Sequence, residues 1–72
     1  MTPHFKSELA EILDVDEDNI LPTLALDDSN WDSLAKVTTA ALIDEVYSKI
    51  VDAEKLSDCK SLHELMLLIE TS

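Results

Sequence analysis

The run Asp27-Asp28-Ser29-Asn30-Trp31-Asp32-Ser33-Leu34-Ala35-Lys36-Val37 closes a polar, irregular stretch and opens a helical pattern. Asp32 is the N-cap candidate, because a side-chain oxygen there accepts a backbone N–H of the first turn. Ser33 then takes the first helical position. Its hydroxyl lies beside N–H groups with no intrahelical acceptor, at the positive end of the helix dipole. A phosphate carried on that hydroxyl would sit where a helix start best tolerates an anion. Asp-Ser pairs also open many helices for capping alone. A modified serine and a plain capping segment therefore both stay open until the rest of the chain is read.

Downstream, the pattern predicts a helix from about Ser33 to Ser48. At 100° per residue, Ala40, Ile43, Val46 and Tyr47 share one face with Ile50 just beyond, and this face is expected to be buried. Thr38, Ala41, Glu45 and Lys49 lie opposite, and Leu34 falls on that outer side despite being apolar. A single exposed leucine is ordinary, but one next to Ser33 is also placed to act as a docking contact. Val51 to Lys60 reads as a connection with a short helical turn around Ala53–Asp58, burying Leu56 and Cys59. Ser61 and Glu64 have capping-box spacing. They open a last helix with Leu62, Leu65, Met66 and Ile69 on one stripe and Leu68 at its flank.

Upstream, Thr2-Pro3 opens a first helix with threonine as cap and proline at the first helical position. Phe5, Leu9, Ile12 and Leu13 form its apolar stripe, and it fades near Asp14 or Val15. Residues 16–31 are a long connection in which Pro22 forbids a continuous helix. Ile20, Leu21, Leu24 and Leu26 are expected to tie it to the core, because a loop this long is unusual unless it packs or serves function. Trp31 reads as a loop anchor whose indole N–H bonds locally. The whole is a single all-α domain over residues 1–72, a small bundle of three main helices and one short one with a long first loop.

Composition narrows the function classes. Sixteen Asp and Glu against five Lys give a formal charge of −11. That balance argues against nucleic acid, whose phosphates demand a basic surface, and against anionic membranes. Partners with basic patches would be steered towards the chain. One cysteine, Cys59, allows no internal disulfide and suits a reducing compartment. The start of the chain lacks the pattern of a secretory signal, and Leu65–Ile69 is far too short to span a bilayer. A soluble cytoplasmic monomer is expected. Asp14, Asp16 and Asp18 match the start of a calcium loop, but Asn19 and Ala25 stand where it needs glycine and glutamate. The pair Cys59 and His63 falls short of the four ligands of a structural zinc site.

The order of helix, long loop, Trp31-Asp32-Ser33-Leu34, second helix, short helix and closing helix resembles the acyl carrier proteins. The resemblance covers nearly the whole chain and extends to Ala41-Leu42-Ile43-Asp44-Glu45-Val46-Tyr47, which is similar to the acidic-plus-aromatic helix end of specialised bacterial carriers. It implies an acyl-carrier-like four-helix bundle. It also implies that a phosphopantetheinyl transferase attaches 4′-phosphopantetheine from coenzyme A to Ser33, and that the arm's thiol carries an acyl group as a thioester. Asp32 and Leu34 would help partners recognise the carrier, and Asp44 and Glu45 would face basic patches on them. Those partners would be an acyl-loading ligase or acyltransferase and the enzymes downstream. The chain itself would not be an enzyme.

Two departures point away from housekeeping fatty acid synthesis. Thr38 stands where its carriers place a recognition glutamate, and Lys36 stands where an uncharged residue is usual. Lys36 is placed to reach a phosphodiester on Ser33 or to pair with Asp32, and the plain surface lysine is the favoured reading. A peptidyl or aminoacyl carrier is the nearest alternative, although its serine more often follows glycine-histidine or glycine-aspartate. An unmodified acidic module docking on a basic partner is the alternative from another class. A serine hydrolase is disfavoured. His4 and His63 are remote from Ser33 in sequence, and no Gly-x-Ser-x-Gly elbow exists.

Overall fold

The computed structural model describes residues 2–72. Four α-helices follow in order: α1 (Pro3–Leu13), α2 (Ser33–Tyr47), α3 (Ala53–Ser57) and α4 (Leu62–Thr71), with a 3-10 turn at Glu17–Asn19 in the first connection. The architecture is all-α. Among the described residues the only β pairing is an isolated bridge between Ala25 and Ser61. No helix is long and apolar enough to cross a membrane among the described residues.

Each helix starts on a side-chain cap. Thr2 Oγ1 accepts from Phe5 N at 3.2 Å, with Pro3 in the first turn. Asp52 Oδ1 accepts from Glu54 N at 2.8 Å. Ser61 Oγ accepts from Glu64 N at 3.4 Å. The reciprocal half of that capping box is displaced, because Glu64 Oε2 accepts from Lys60 N at 2.8 Å rather than from the cap residue itself. The chain has no glycine, so the left-handed residues that end α1 and α2 are Asp14 (φ 57°) and Ser48 (φ 55°). Aspartate tolerates that region better than most residues with a Cβ.

One apolar cluster joins the helices. Phe5, Leu9, Ile43, Leu62 and Leu65 are fully buried in it, with Leu13, Trp31, Leu42, Leu56, Cys59 and Ile69 around them. The Phe5 and Tyr47 rings meet edge to face, 5.2 Å between centroids. The stripes expected in α1 and α4 bury as expected, save that Ile12 and Met66 are only half-buried.

The buried side of α2 differs from the expected one. Ala35, Thr39, Leu42 and Ile43 are buried, Ala40, Val46 and Tyr47 are half-buried, and Ile50 is 88% exposed. Ile50 lies past the left-handed Ser48, so it no longer follows the helix. The remaining shift arises because α2 packs against both α1 and α3, which turns its inner arc towards Thr39.

Thr39 is fully buried, and its Oγ1 has no hydrogen-bond partner among the described residues. An unsatisfied buried hydroxyl costs ~1–3 kcal/mol, and valine has nearly the same shape. Thr39→Val is therefore expected to stabilise the chain by ~1 kcal/mol, raising Tm by about 4–8 °C in a domain of this size. A thermal melt followed by far-UV circular dichroism checks this. An unchanged or lower Tm shows that the hydroxyl finds a partner.

The long connection is held by backbone as well as by side chains. Leu26 N donates to Lys60 O (2.9 Å), Leu62 N to Leu24 O (2.9 Å) and His63 N to Pro22 O (3.0 Å). The connection is thereby sewn to the start of α4. Ile20 and Leu26 are buried and Leu24 packs against the core, but Leu21, expected to help, is 52% exposed.

Candidate functional site

The turn before α2 sets how Ser33 is presented. Asp27 Oδ1 accepts from Ser29 N (2.9 Å) and from the Ser29 hydroxyl, Asp27 N donates to Asn30 Oδ1 (2.9 Å), and Asn30 Nδ2 donates to Ala25 O (3.0 Å). The Ser29 hydroxyl and amide hold the exposed Asp27 carboxyl below the ordinary aspartate range. Trp31 N donates to Asp27 O at 2.7 Å, which closes the turn.

Trp31 is buried as expected, but its indole does not bond locally. Nε1 donates to Leu56 O of α3 at 3.2 Å, across 25 residues of sequence. The indole meets the end of a helix of 5 residues, where the Leu56 carbonyl also accepts from the turn that follows, from Asp58 N and from Cys59 N at 3.3 Å. The entry to α2 is thus pinned to α3.

Asp32 caps α2, its Oδ1 accepting from Ala35 N at 2.8 Å, and its carbonyl takes the first intrahelical bond, from Lys36 N at 3.0 Å. With the aspartate as cap, Ser33 is the first helical residue and exposed, and its hydroxyl is left out of the capping bond. The N–H groups of Ser33 and Leu34 have no acceptor within the helix. Leu34 is 74% exposed and Val37, three residues on, is 68% exposed. Val37 escaped the sequence reading, although its spacing from Leu34 places it on the same side of the helix.

Asp44 and Glu45 are exposed on the same helix, about 17 Å from Ser33 at 1.5 Å per residue. They are not brought into the cluster around Ser33; they mark the far end of the surface that begins there. Lys36 pairs with neither Asp32 nor solvent alone. It is half-buried, and its Nζ donates to Ser57 Oγ at 3.1 Å, tying α2 to α3. The lysine stem reaches across the α2–α3 contact, which outweighs a local pair worth only tenths of a kcal/mol.

Beside Leu34 runs a groove between α1 and α2, about 560 Å³ in volume, floored by Ile12, Ala35 and Leu42. The α1 wall was missed in the sequence. Its signal was that Glu8 and Glu11 flank the apolar stripe of α1 at one-turn spacing.

Cys59 is buried, and its Sγ donates to Lys55 O at 3.4 Å. Burial, with Glu64 and Asp58 nearby, pushes its thiol pKa up. His63 is exposed. Among the described residues no group of three His, Cys, Asp or Glu side chains is placed to hold a metal ion.

The residues present suit a phosphate-linked group on Ser33. The hydroxyl is accessible, the helix start offers N–H groups, and the Asp32 carboxylate is already turned onto Ala35 N–H. No family model, no curated protein and no solved structure matches the chain.

Proposed function

We propose that the chain is an acyl carrier protein, with an acyl-carrier-like bundle that presents Ser33 for modification with 4′-phosphopantetheine. The observation that supports this best is the exposed Ser33 at the head of α2, capped by Asp32 and followed by the exposed Leu34. In the modification, Ser33 Oγ attacks the phosphate of coenzyme A that bears the pantetheine. The bond to the 3′,5′-ADP portion breaks and the hydroxyl proton passes to a base on the transferase. The arm supplies a mobile thiol that holds the acyl group.

This chain's own residues only present and position. Asp32 fixes the helix start, Leu34 offers an apolar contact to the transferase, and Asp44 and Glu45 attract basic partner surfaces. Catalysis belongs to the partner enzymes, among them an acyl-loading ligase or acyltransferase. Thr38 and Lys36, the two departures from the pattern of housekeeping fatty acid synthesis, fit a specialised carrier outside it, acting as a cytoplasmic monomer in one domain over residues 1–72.

Intact-mass measurement after incubation with coenzyme A and a broad-specificity phosphopantetheinyl transferase tests the reading. Wild type is expected to gain one phosphopantetheinyl group, and Ser33→Ala none. An unchanged wild-type mass leaves the unmodified acidic interaction module. A gain that persists in Ser33→Ala refutes the site.

A further inference from the structure

The groove between α1 and α2 lies on the side of α2 next to the exposed Leu34–Val37 edge, and one of its walls belongs to α1. Its floor is apolar: Ile12 is half-buried, and Ala35 and Leu42 are buried beneath it. Its rim has one sign of charge. Glu8 and Glu11 stand on the α1 side and Glu45 on the α2 side, while Asp32 closes the end towards Ser33. No lysine lines it, and both lysines of the α2 region are engaged elsewhere. Lys36 Nζ is on Ser57 Oγ, and Lys49 Nζ is on Ile69 O at 2.9 Å. The rim carboxylates therefore have no cation from α2, and the volume of about 560 Å³ leaves ample room for a large apolar side chain.

We propose that this groove docks a segment of a partner protein that inserts one apolar side chain and flanks it with Lys or Arg about one helical turn to either side. The apolar anchor supplies affinity by leaving water. The flanking cations meet Glu8 and Glu11 on one wall and Glu45 on the other, which fixes the direction of the segment and speeds encounter. The apolar floor supplies the selectivity, since a cation alone would bind anywhere on a chain of formal charge −11. The docking does not depend on modification of Ser33, so it stands or falls separately from the carrier reading.

The test uses the full, unmodified chain and a synthetic helical peptide carrying one central leucine flanked by lysines at one-turn spacing, followed by amide NMR. The largest shifts are expected at Ile12, Ala35, Ala41 and Leu42. Replacing the peptide leucine with serine is expected to abolish them. Glu8→Gln/Glu11→Gln is expected to weaken the peptide about fivefold at low salt, and the charge-matched Glu54→Gln/Glu70→Gln less than about twofold.

Equal weakening by the two pairs would show only diffuse attraction and overturn the proposal. So would wild-type shifts centred away from the groove, a leucine-free peptide that binds as well, or groove shifts that grow with protein concentration alone and thus report a second copy. The wild-type map is decisive even where a variant fails to fold.

Discussion

In Trp31→Ala the chain is expected to lose its cooperative unfolding transition at 25 °C, and Ser33 its fixed place at the head of α2. The indole is 3% exposed, and truncating a buried aromatic ring to alanine costs about 3–5 kcal/mol. The Leu56 carbonyl also loses the indole donor and keeps only the backbone N–H groups just past α3, which removes a hydrogen bond worth about 0.5–1.5 kcal/mol. A core of this size stands on only about 3–5 kcal/mol, so the combined loss matches or exceeds the margin. Trp31→Phe keeps an aromatic ring but no donor, so it is expected to stay folded with a lower denaturation midpoint. Urea titration followed by far-UV circular dichroism and amide NMR separates the variants. A Trp31→Ala chain with a midpoint close to wild type would show that the indole is no anchor.

Phe5→Ala is the second large loss. Phe5 is fully buried and meets the Tyr47 ring edge to face. The cavity costs about 3–5 kcal/mol, and the ring pair contributes ~0.5–1.5 kcal/mol beyond its area. That again matches or exceeds the whole margin, so α1 is expected to detach and the amide spectrum to collapse towards random-coil positions. Tyr47→Leu removes the ring pair while keeping apolar bulk at a half-buried position, and is expected to cost ~1 kcal/mol. If Phe5→Ala melts no lower than Tyr47→Leu, then the α1 contact is not what closes the core.

The helices and their starts were legible because capping is local. Thr2, Asp32, Asp52 and Ser61 each bond an N–H two or three residues away, so sequence spacing carries the information. The exposure of Ser33 and Leu34 follows from the same registry. What stayed hidden depends on residues far apart in the chain. The Trp31–Leu56 and Lys36–Ser57 bonds need α3 to be in place first. The inner arc of α2 was misplaced because its side chains are nearly as apolar outside, at Leu34 and Val37, as inside. Periodicity then says little, and contacts with α1 and α3 decide. Thr39 at the centre of that arc runs against any hydropathy rule. The α1–α2 groove is a relation between two helices, so neither helix shows it alone.

The stitching of residues 22–26 to the threshold of α4 bears on how the chain folds. Those bonds join the front of the molecule to its rear, with all of α2 and α3 between them. Closing so large a loop costs chain entropy before any contact rewards it. The core itself takes Phe5 and Leu9 from α1 and Leu62 and Leu65 from α4. The approach to Ser33 is therefore fastened only once residues 60–63 have joined residues 22–26.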